Sequence, residues 1–241
     1  MKLKTKNLLT LAELTPKEFL GLIDESIKLK KELKGKGNKP VLKNKTLTMI
    51  FQKPSTRTRV SFEAGMYQLG GHAINLSSDD MQLSRGESIE DTAKTLSRYT
   101  NCIMARVYDH ELLEKLSEHS SVPVINGLSD TFHPCQILAD FMTIKEKKKN
   151  LKGLKIAWIG DGNNVCNSMI YGAALSGVTI SIATPKGFEP NKTVVKDAKK
   201  STTVELTTDP FVTVKNADVV VSDTFSSIHN LDKKRLKKFL P

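Results

Sequence analysis

Leu47-Thr48-Met49-Ile50-Phe51, Ser55-Thr56-Arg57-Thr58-Arg59 and Val60-Ser61-Phe62-Glu63-Ala64-Gly65-Met66-Tyr67-Gln68-Leu69 follow one another closely along the chain. The first run is apolar and short, as a buried strand is. The last reads as a helix that ends at Gly70-Gly71. The middle run is then a strand-to-helix turn with three hydroxyls and two guanidinium groups. The first N–H groups of a helix are unpaired and the dipole is positive there, so such a turn attracts anions. Arginine adds a planar fork that matches phosphate oxygens. The stretch is a candidate phosphate or acyl phosphate site. The plainer alternative is a Ser/Thr helix cap with surface arginines.

Working outward, the same strand-helix alternation fills residues 46–125. Strands are expected at 46–52, 73–76, 102–105 and 122–125, and helices at 56–69, 87–99 and 110–119. Residues 134–149 read as one long helix, with Pro134 at its start, Ile137, Leu138, Phe141 and Ile144 at helical spacing, and lysines at its end. The alternation then restarts, with strands at 155–160, 178–182, 203–206 and 218–222 and helices at 164–175, near 192–200 and near 210–216. This predicts an α/β fold with two doubly wound parallel-sheet domains joined by a long helix. The boundaries are 1–133, 134–149 and 150–241. Before the first sheet, Thr15-Pro16-Lys17-Glu18 is a helix start, and a packing helix follows it.

The 241 residues carry 39% hydrophobic and 26% charged side chains, as globular domains do. No apolar run reaches membrane-spanning length and no signal-peptide pattern opens the chain, so no membrane partner is expected. Cys102, Cys135 and Cys166 are odd in number and widely spaced, which points to a reducing, cytoplasmic setting and to packing thiols. The histidines and cysteines show no metal-ligand spacing. The net charge of +11 invites a nucleic-acid reading. However, 31 of the 37 basic residues are lysines in blocks mixed with acids, without interleaved aromatics. Five of the six arginines fall between Arg57 and Arg106, where guanidinium geometry is the simplest reason for them. A nucleic-acid partner is therefore not expected.

In a parallel sheet, ligands sit beyond the carboxyl ends of the strands. In the first domain those positions hold 55–59, the polar loop 79–88, Arg106, and then His133 and Gln136. In the second they hold Asp161-Gly162-Asn163-Asn164 and Asp223-Thr224-Phe225-Ser226-Ser227. One set suits an anionic acyl phosphate, the other a cationic amine. The plainer readings stand beside these. His133 is also a plausible turn residue, Asp161-Gly162-Asn163-Asn164 an ordinary turn, and 79–88 a solvated loop, a lid or a subunit contact.

Residues 55–63 (Ser-Thr-Arg-Thr-Arg-Val-Ser-Phe-Glu) with His133-Pro134-Cys135-Gln136 resemble the aspartate/ornithine carbamoyltransferase family. Cys135 and Asp161-Gly162-Asn163-Asn164 are similar to its ornithine branch. The resemblance runs from about residue 8 to 229. It implies a carbamoyl phosphate-binding domain over 1–133 and an ornithine-binding domain over 150–241, with 134–149 as the interdomain helix. It implies that Ser55, Thr56, Arg57 and Thr58 bind the phosphate, with Gln82 contributed by a neighbouring subunit of a trimer. Arg106, His133 and Thr58 would be catalytic, polarising the carbamoyl carbonyl, and Gln136 would hold the carbamoyl NH2. Asn164, Asp223, Ser227 and Ile228 would bind ornithine. The implied reaction gives L-citrulline and phosphate, with no cofactor and no metal. The partners implied are the two small-molecule substrates and further copies of the chain, in a trimer or a multiple of trimers.

Chains of this family continue beyond the position of Pro241, with a strand ending in His-Cys-Leu-Pro and a long returning helix. The second domain is accordingly expected to be incomplete, a truncated version of the family's, lacking part of the site. Ile228 stands where the family often has Met. Phe225, Ile228 and His229, near the implied amine pocket, leave room for another amine acceptor such as putrescine or acetylornithine. A non-catalytic binding homologue is the remaining alternative.

Overall fold

The computed structural model describes residues 3–224 and 237–239. They fall into two compact units. One comprises the residues up to Leu14 together with Gly21–Cys135, the other Thr15–Leu20 and the residues from Gln136 onward.

The first unit is built on a four-stranded parallel sheet. Its strands are β1 (Thr46–Phe51), β2 (His72–Ser77), β3 (Cys102–Arg106) and β4 (Val124–Leu128), in the order β2-β1-β3-β4. The side-chain period of two sends Leu47, Met49 and Phe51 of β1 to one face, where Met104, Phe62 and Met66 join them. Ile50 packs on the other face with Ile103, Ala105, Ala93, Leu113 and Leu116. Helices thus cover both faces. Phe62 and Met66 come from α2 (Thr56–Gln68), Ala93 from α3 (Ile89–Tyr99), and Leu113 and Leu116 from α4 (His110–His119). Leu8 pairs with Ile125 and so covers the outer edge of β4.

Most elements fall where the alternation places them, within the one or two residues by which helix and strand ends vary. β4 differs. It starts after Pro123 and continues through Asn126, Gly127 and Leu128, polar or small residues that an apolar pattern does not assign to a strand. Asn126 is fully buried and Ser129 beyond it is too. The loop 79–88 is not featureless either. It carries two short 3-10 turns, Ser78–Asp80 and Gln82–Arg85, with the buried Met81 between them as an anchor.

The second unit has β5 (Lys155–Ile159), β6 (Thr179–Ala183), β7 (Val204–Thr207) and β8 (Val219–Val221), all parallel, in the order β7-β6-β5-β8. Between them lie α6 (Asn164–Ser176), α7 (Lys192–Ala198) and α8 (Pro210–Val214), and before them α5 (Pro134–Lys148). The start of α1 (Pro16–Lys34) belongs here as well, and the Thr15–Glu18 capping box holds it. The Thr15 N–H donates to the Glu18 carboxylate at 2.9 Å, and the Glu18 N–H donates to Thr15 Oγ1 at 3.3 Å. Phe19 meets Phe141 of α5 edge-on, with ring centroids 5.3 Å apart.

α5 and α6 touch closely because Gly172 has no side chain. A Cβ there would lie 2.6 Å from the Phe141 ring and 2.7 Å from Ile137. Gly172→Val should therefore destabilise the unit by about 2 kcal/mol through overpacking, read as a lower urea midpoint. A midpoint equal to the wild type's would show that α5 moves freely against α6.

Candidate active site

In the first sheet the strand order reverses between β1 and β3. The connection leaving β1 runs one way and the one leaving β3 runs the other, so their loops part beyond the carboxyl ends. Two of the expected groups meet at that point. Ser55 caps α2, its Oγ accepting from the Thr58 N–H at 3.3 Å and donating to Thr58 Oγ1 at 3.0 Å. Arg106, the last residue of β3, reaches Thr58 Oγ1 with Nη1 at 3.4 Å. The Ser55 cap and the Thr58–Arg106 pair are one arrangement. Thr56 and Arg57 lie in the exposed first turn of α2. Arg59 turns away and pairs with Glu63 at 2.9 Å, so of the two arginines in the turn only Arg57 is left for a ligand.

Arg106 is placed with care. The β3–β4 register shifts between Ala105 and Arg106, so Ala105 pairs with Asn126 and Arg106 with Leu128, and Gly127 is the extra residue. Gln52 stitches the strand ends together: its N–H donates to the Arg106 carbonyl at 2.9 Å, and its Oε1 accepts from the Tyr108 N–H at 3.0 Å. Burial, with the Arg57 charge beside it, lowers the pKa of Arg106. Its Nε is buried with no hydrogen-bond partner among the described residues. A half-buried guanidinium next to a second cation is costly unless an anion compensates it.

His133 stands directly before α5, after a turn pinned from several sides. Asn126 Nδ2 donates to the Leu9 carbonyl at 2.8 Å and the Phe132 carbonyl at 3.3 Å. Ser129 Oγ lies 2.9 Å from His110 Nδ1 and accepts from the Phe132 N–H at 3.1 Å. Cys135 donates to the Asn126 carbonyl, and burial pushes its thiol up to about 12. Cys102 is pushed up to about 11 for the same reason, which leaves both as packing groups. Gln82 is exposed at the start of its 3-10 turn, and among the described residues no hydrogen bond joins it to the Ser55 cluster.

The second sheet reverses its order between β5 and β8, and the remaining expected groups gather there. The turn after β5 is held by Trp158 Nε1 donating to the Asp161 carbonyl at 3.0 Å and by the Gly162 N–H donating to the Phe188 carbonyl at 2.8 Å. A Cβ on Gly162 would lie 2.2 Å from the Pro190 nitrogen. Asn163 then does two things at once. Its Oδ1 caps α6 through the Val165 and Cys166 N–H groups at 3.0 and 3.1 Å, and its Nδ2 donates to Asp223 Oδ2 at 2.9 Å. Asn164 occupies the first turn of α6, and its Oδ1 lies 3.1 Å from the Val165 N–H. A cleft of about 230 Å³ opens here, lined by Gln136, Asp140, Thr143, Val165, Ser222 and Asp223 among others. Ser227 and Ile228, like Phe225 and His229, lie outside the described residues.

A family model described as the carbamoyl-P binding domain of aspartate/ornithine carbamoyltransferase matches residues 6–146, and one described as its Asp/Orn binding domain matches residues 152–241. The chain belongs to the aspartate/ornithine carbamoyltransferase family. Among curated members of that family, an ornithine carbamoyltransferase of Cenarchaeum symbiosum is 61% identical over 241 residues, all of this chain and 79% of that one. Among solved structures, the ornithine carbamoyltransferase of Pyrococcus furiosus superposes with a TM-score of 0.94 at 46% identity, covering 99% of this chain and 79% of that one. The enzyme from Thermus thermophilus does so with a TM-score of 0.88 at 40% identity, covering 98% and 77%.

Three residues at these sites escape a reading by motif, Gln52, Asn126 and Asp140, and Asn163, though inside the Asp161-Gly162-Asn163-Asn164 motif, is not assigned there as a cap or as the partner of Asp223. An asparagine directly before an apolar helix is a cap signal, and it was there to be read at Asn163. Nothing in the sequence distinguishes Asn126 or Gln52. Asn163→Ala removes a cap and one partner of Asp223, and should cost about 1–2 kcal/mol. Urea unfolding would measure it, and a cost near zero would mean that water replaces both bonds.

Proposed function

We propose that this chain transfers the carbamoyl group of carbamoyl phosphate to the δ-amine of L-ornithine, giving L-citrulline and phosphate. The supporting observation is the pair of switch-point clusters, cationic with free helix N–H groups at β1/β3 and anionic at β5/β8. Carbamoyl phosphate and ornithine are matched to those charges.

In this reading Ser55, Thr56, Arg57 and Thr58 hold the phosphate on the start of α2. Arg106, His133 and Thr58 donate to the carbamoyl oxygen, and Gln136 accepts from the carbamoyl NH2. Asn164 and Asp223 hold ornithine, Asp223 by its ammonium group, and Ser227 and Ile228 complete that pocket. Residues 1–133 form the carbamoyl phosphate-binding domain, 134–149 the connecting helix and 150–241 the ornithine-binding domain. The neutral δ-amine attacks the carbonyl carbon. A C–N bond forms, negative charge gathers on the oxygen facing Arg106, the C–O bond to phosphate then breaks with its electron pair leaving on phosphate, and the proton lost by the attacking nitrogen leaves with the phosphate as HPO4(2−). Donors fixed before reaction stabilise that charge without reorganising, and holding both substrates in register removes up to roughly 7–11 kcal/mol of the barrier. No covalent nucleophile or cofactor is needed, because phosphate is already a good leaving group.

The working unit is a homotrimer or a multiple of trimers. None of the 13 residues of α2 is buried, and Val60 and Tyr67 are exposed on it, which favours an interface there. Gln82, exposed on its anchored turn, is then supplied to a neighbouring subunit's phosphate site. Three free cysteines fit a cytoplasmic enzyme of arginine metabolism.

Product analysis with carbamoyl phosphate and a panel of ornithine, putrescine and N-acetylornithine tests the assignment. Citrulline should dominate, and preference for another amine would replace ornithine as the acceptor. Arg57→Lys keeps the charge but loses the fork, and should weaken carbamoyl phosphate binding about tenfold or more. Unchanged affinity in an active protein would remove Arg57 from the site.

A further inference from the structure

His110 has no part in the steps above, yet it is tied to the turn that carries His133. Its side chain is 12% exposed and its ring meets Phe132 edge-on, with centroids 5.1 Å apart. Its Nδ1 lies 2.9 Å from Ser129 Oγ, which is buried. That hydroxyl has one hydrogen and two lone pairs. The Phe132 N–H donates to it at 3.1 Å and Asn126 Nδ2 at 3.4 Å. Its own hydrogen goes to His110 Nδ1 rather than to the Phe132 carbonyl at 3.3 Å. That carbonyl already accepts from the Ser129 N–H at 2.9 Å and from Asn126 Nδ2 at 3.3 Å. The ring hydrogen then sits on Nε2, facing the Glu114 carboxylate, which only accepts, at 4.0 Å. We propose that His110 is a positioning residue for His133: through Ser129 and Phe132 it holds the turn that sets this donor, and it loosens that turn when its ring takes a proton. This rests on the role given to His133 in the proposed function.

The count of donors explains the loosening. In an imidazolium both nitrogens donate. Ser129 Oγ then meets three donors with two lone pairs. Its hydrogen must turn to the Phe132 carbonyl, which has two donors already. One bond of the 129–132 turn is lost, and His133, the next residue along, shifts with the backbone of Phe132. Burial lowers the pKa of His110, against the acids that face the ring. These are Glu114 and Asp109 on its own helix and cap, Asp130 in the turn, and Glu13 on the segment before α1. The folded-state value lies below the ordinary one, so protonation of His110 costs stability. The fold therefore loses stability as pH falls below 6.5 towards and through the folded value.

NMR of the full chain with isotope-labelled histidine, from pH 8 downwards, follows each ring, and H133Q assigns the His133 signal. In the wild type the His133 signal should carry a second inflection, at the midpoint of His110. H110N offers Oδ1 as an acceptor near the place of Nδ1 and cannot be protonated. It should remove that inflection and keep the His133 shift of pH 8. H110F keeps a ring against Phe132 but offers no acceptor, and should displace that shift. Calorimetry at pH 8 reads the consequence as the affinity for phosphonoacetamide, which has a carbonyl oxygen for His133 to meet, relative to inorganic phosphate, which has none. H110F should lower this ratio about tenfold, the worth of one lost hydrogen bond, and H110N should keep it. Rescue by asparagine, which restores the acceptor and not the ring, separates positioning from packing. A wild-type His133 signal with no inflection but its own overturns the inference, whether or not H110F folds. A ratio that H133Q leaves at the wild-type value would instead remove His133 from the carbonyl site, and so overturn the proposed role on which this positioning depends.

Discussion

Both sites depend on one constraint of parallel sheets. Every strand delivers its carboxyl end to the same rim, and successive crossovers keep one hand. A gap between the following loops opens only where the order of strands reverses. Each four-stranded sheet has one such reversal, between β1 and β3 in one unit and between β5 and β8 in the other. Most of the candidate residues follow the strands at these two places, while Gln82 follows β2 and His133 follows β4. The sheet cores, with Met49, Met104, Ile156 and Trp158 fully buried, hold the rims still.

At each rim a polar side chain makes the fine adjustment. Gln52 ties the end of β1 to that of β3, and Asn163 ties the start of α6 to the residue after β8. Asn163 spends both ends of its amide on fixed partners, so it has no free rotamer to lose when a ligand arrives. Preorganisation of this kind is what lets hydrogen bonds count in full in a transition state.

Much of this was legible in the sequence because it rests on periodicity and local chemistry. The run 47–51 reads as a strand since both faces of the sheet are covered, and Ser55 reads as a cap since helix starts need one. What was not legible has physical reasons. β4 was displaced in the reading because its far half is Asn126, Gly127 and Leu128, and a buried asparagine satisfied by the distant Leu9 carbonyl leaves no local signature. Arg59 looked equivalent to Arg57, but the helix puts it one turn from Glu63 and spends it there.

α2 has a consequence of another kind. Its start is the proposed phosphate site, yet it packs against the sheet through the partly buried Phe62 and Met66 and none of its residues is buried. Segments with so little buried surface open at low free energy. An anion seated on the free N–H groups of this helix binds the ordered form alone and stabilises it by RT ln(1 + [L]/Kd). On the proposed reading, the local unfolding of the segment and its exposure to proteolysis would follow the size of the pool of that anion. A starved cell would hold a more perishable protein than a fed one, with no change in its sequence.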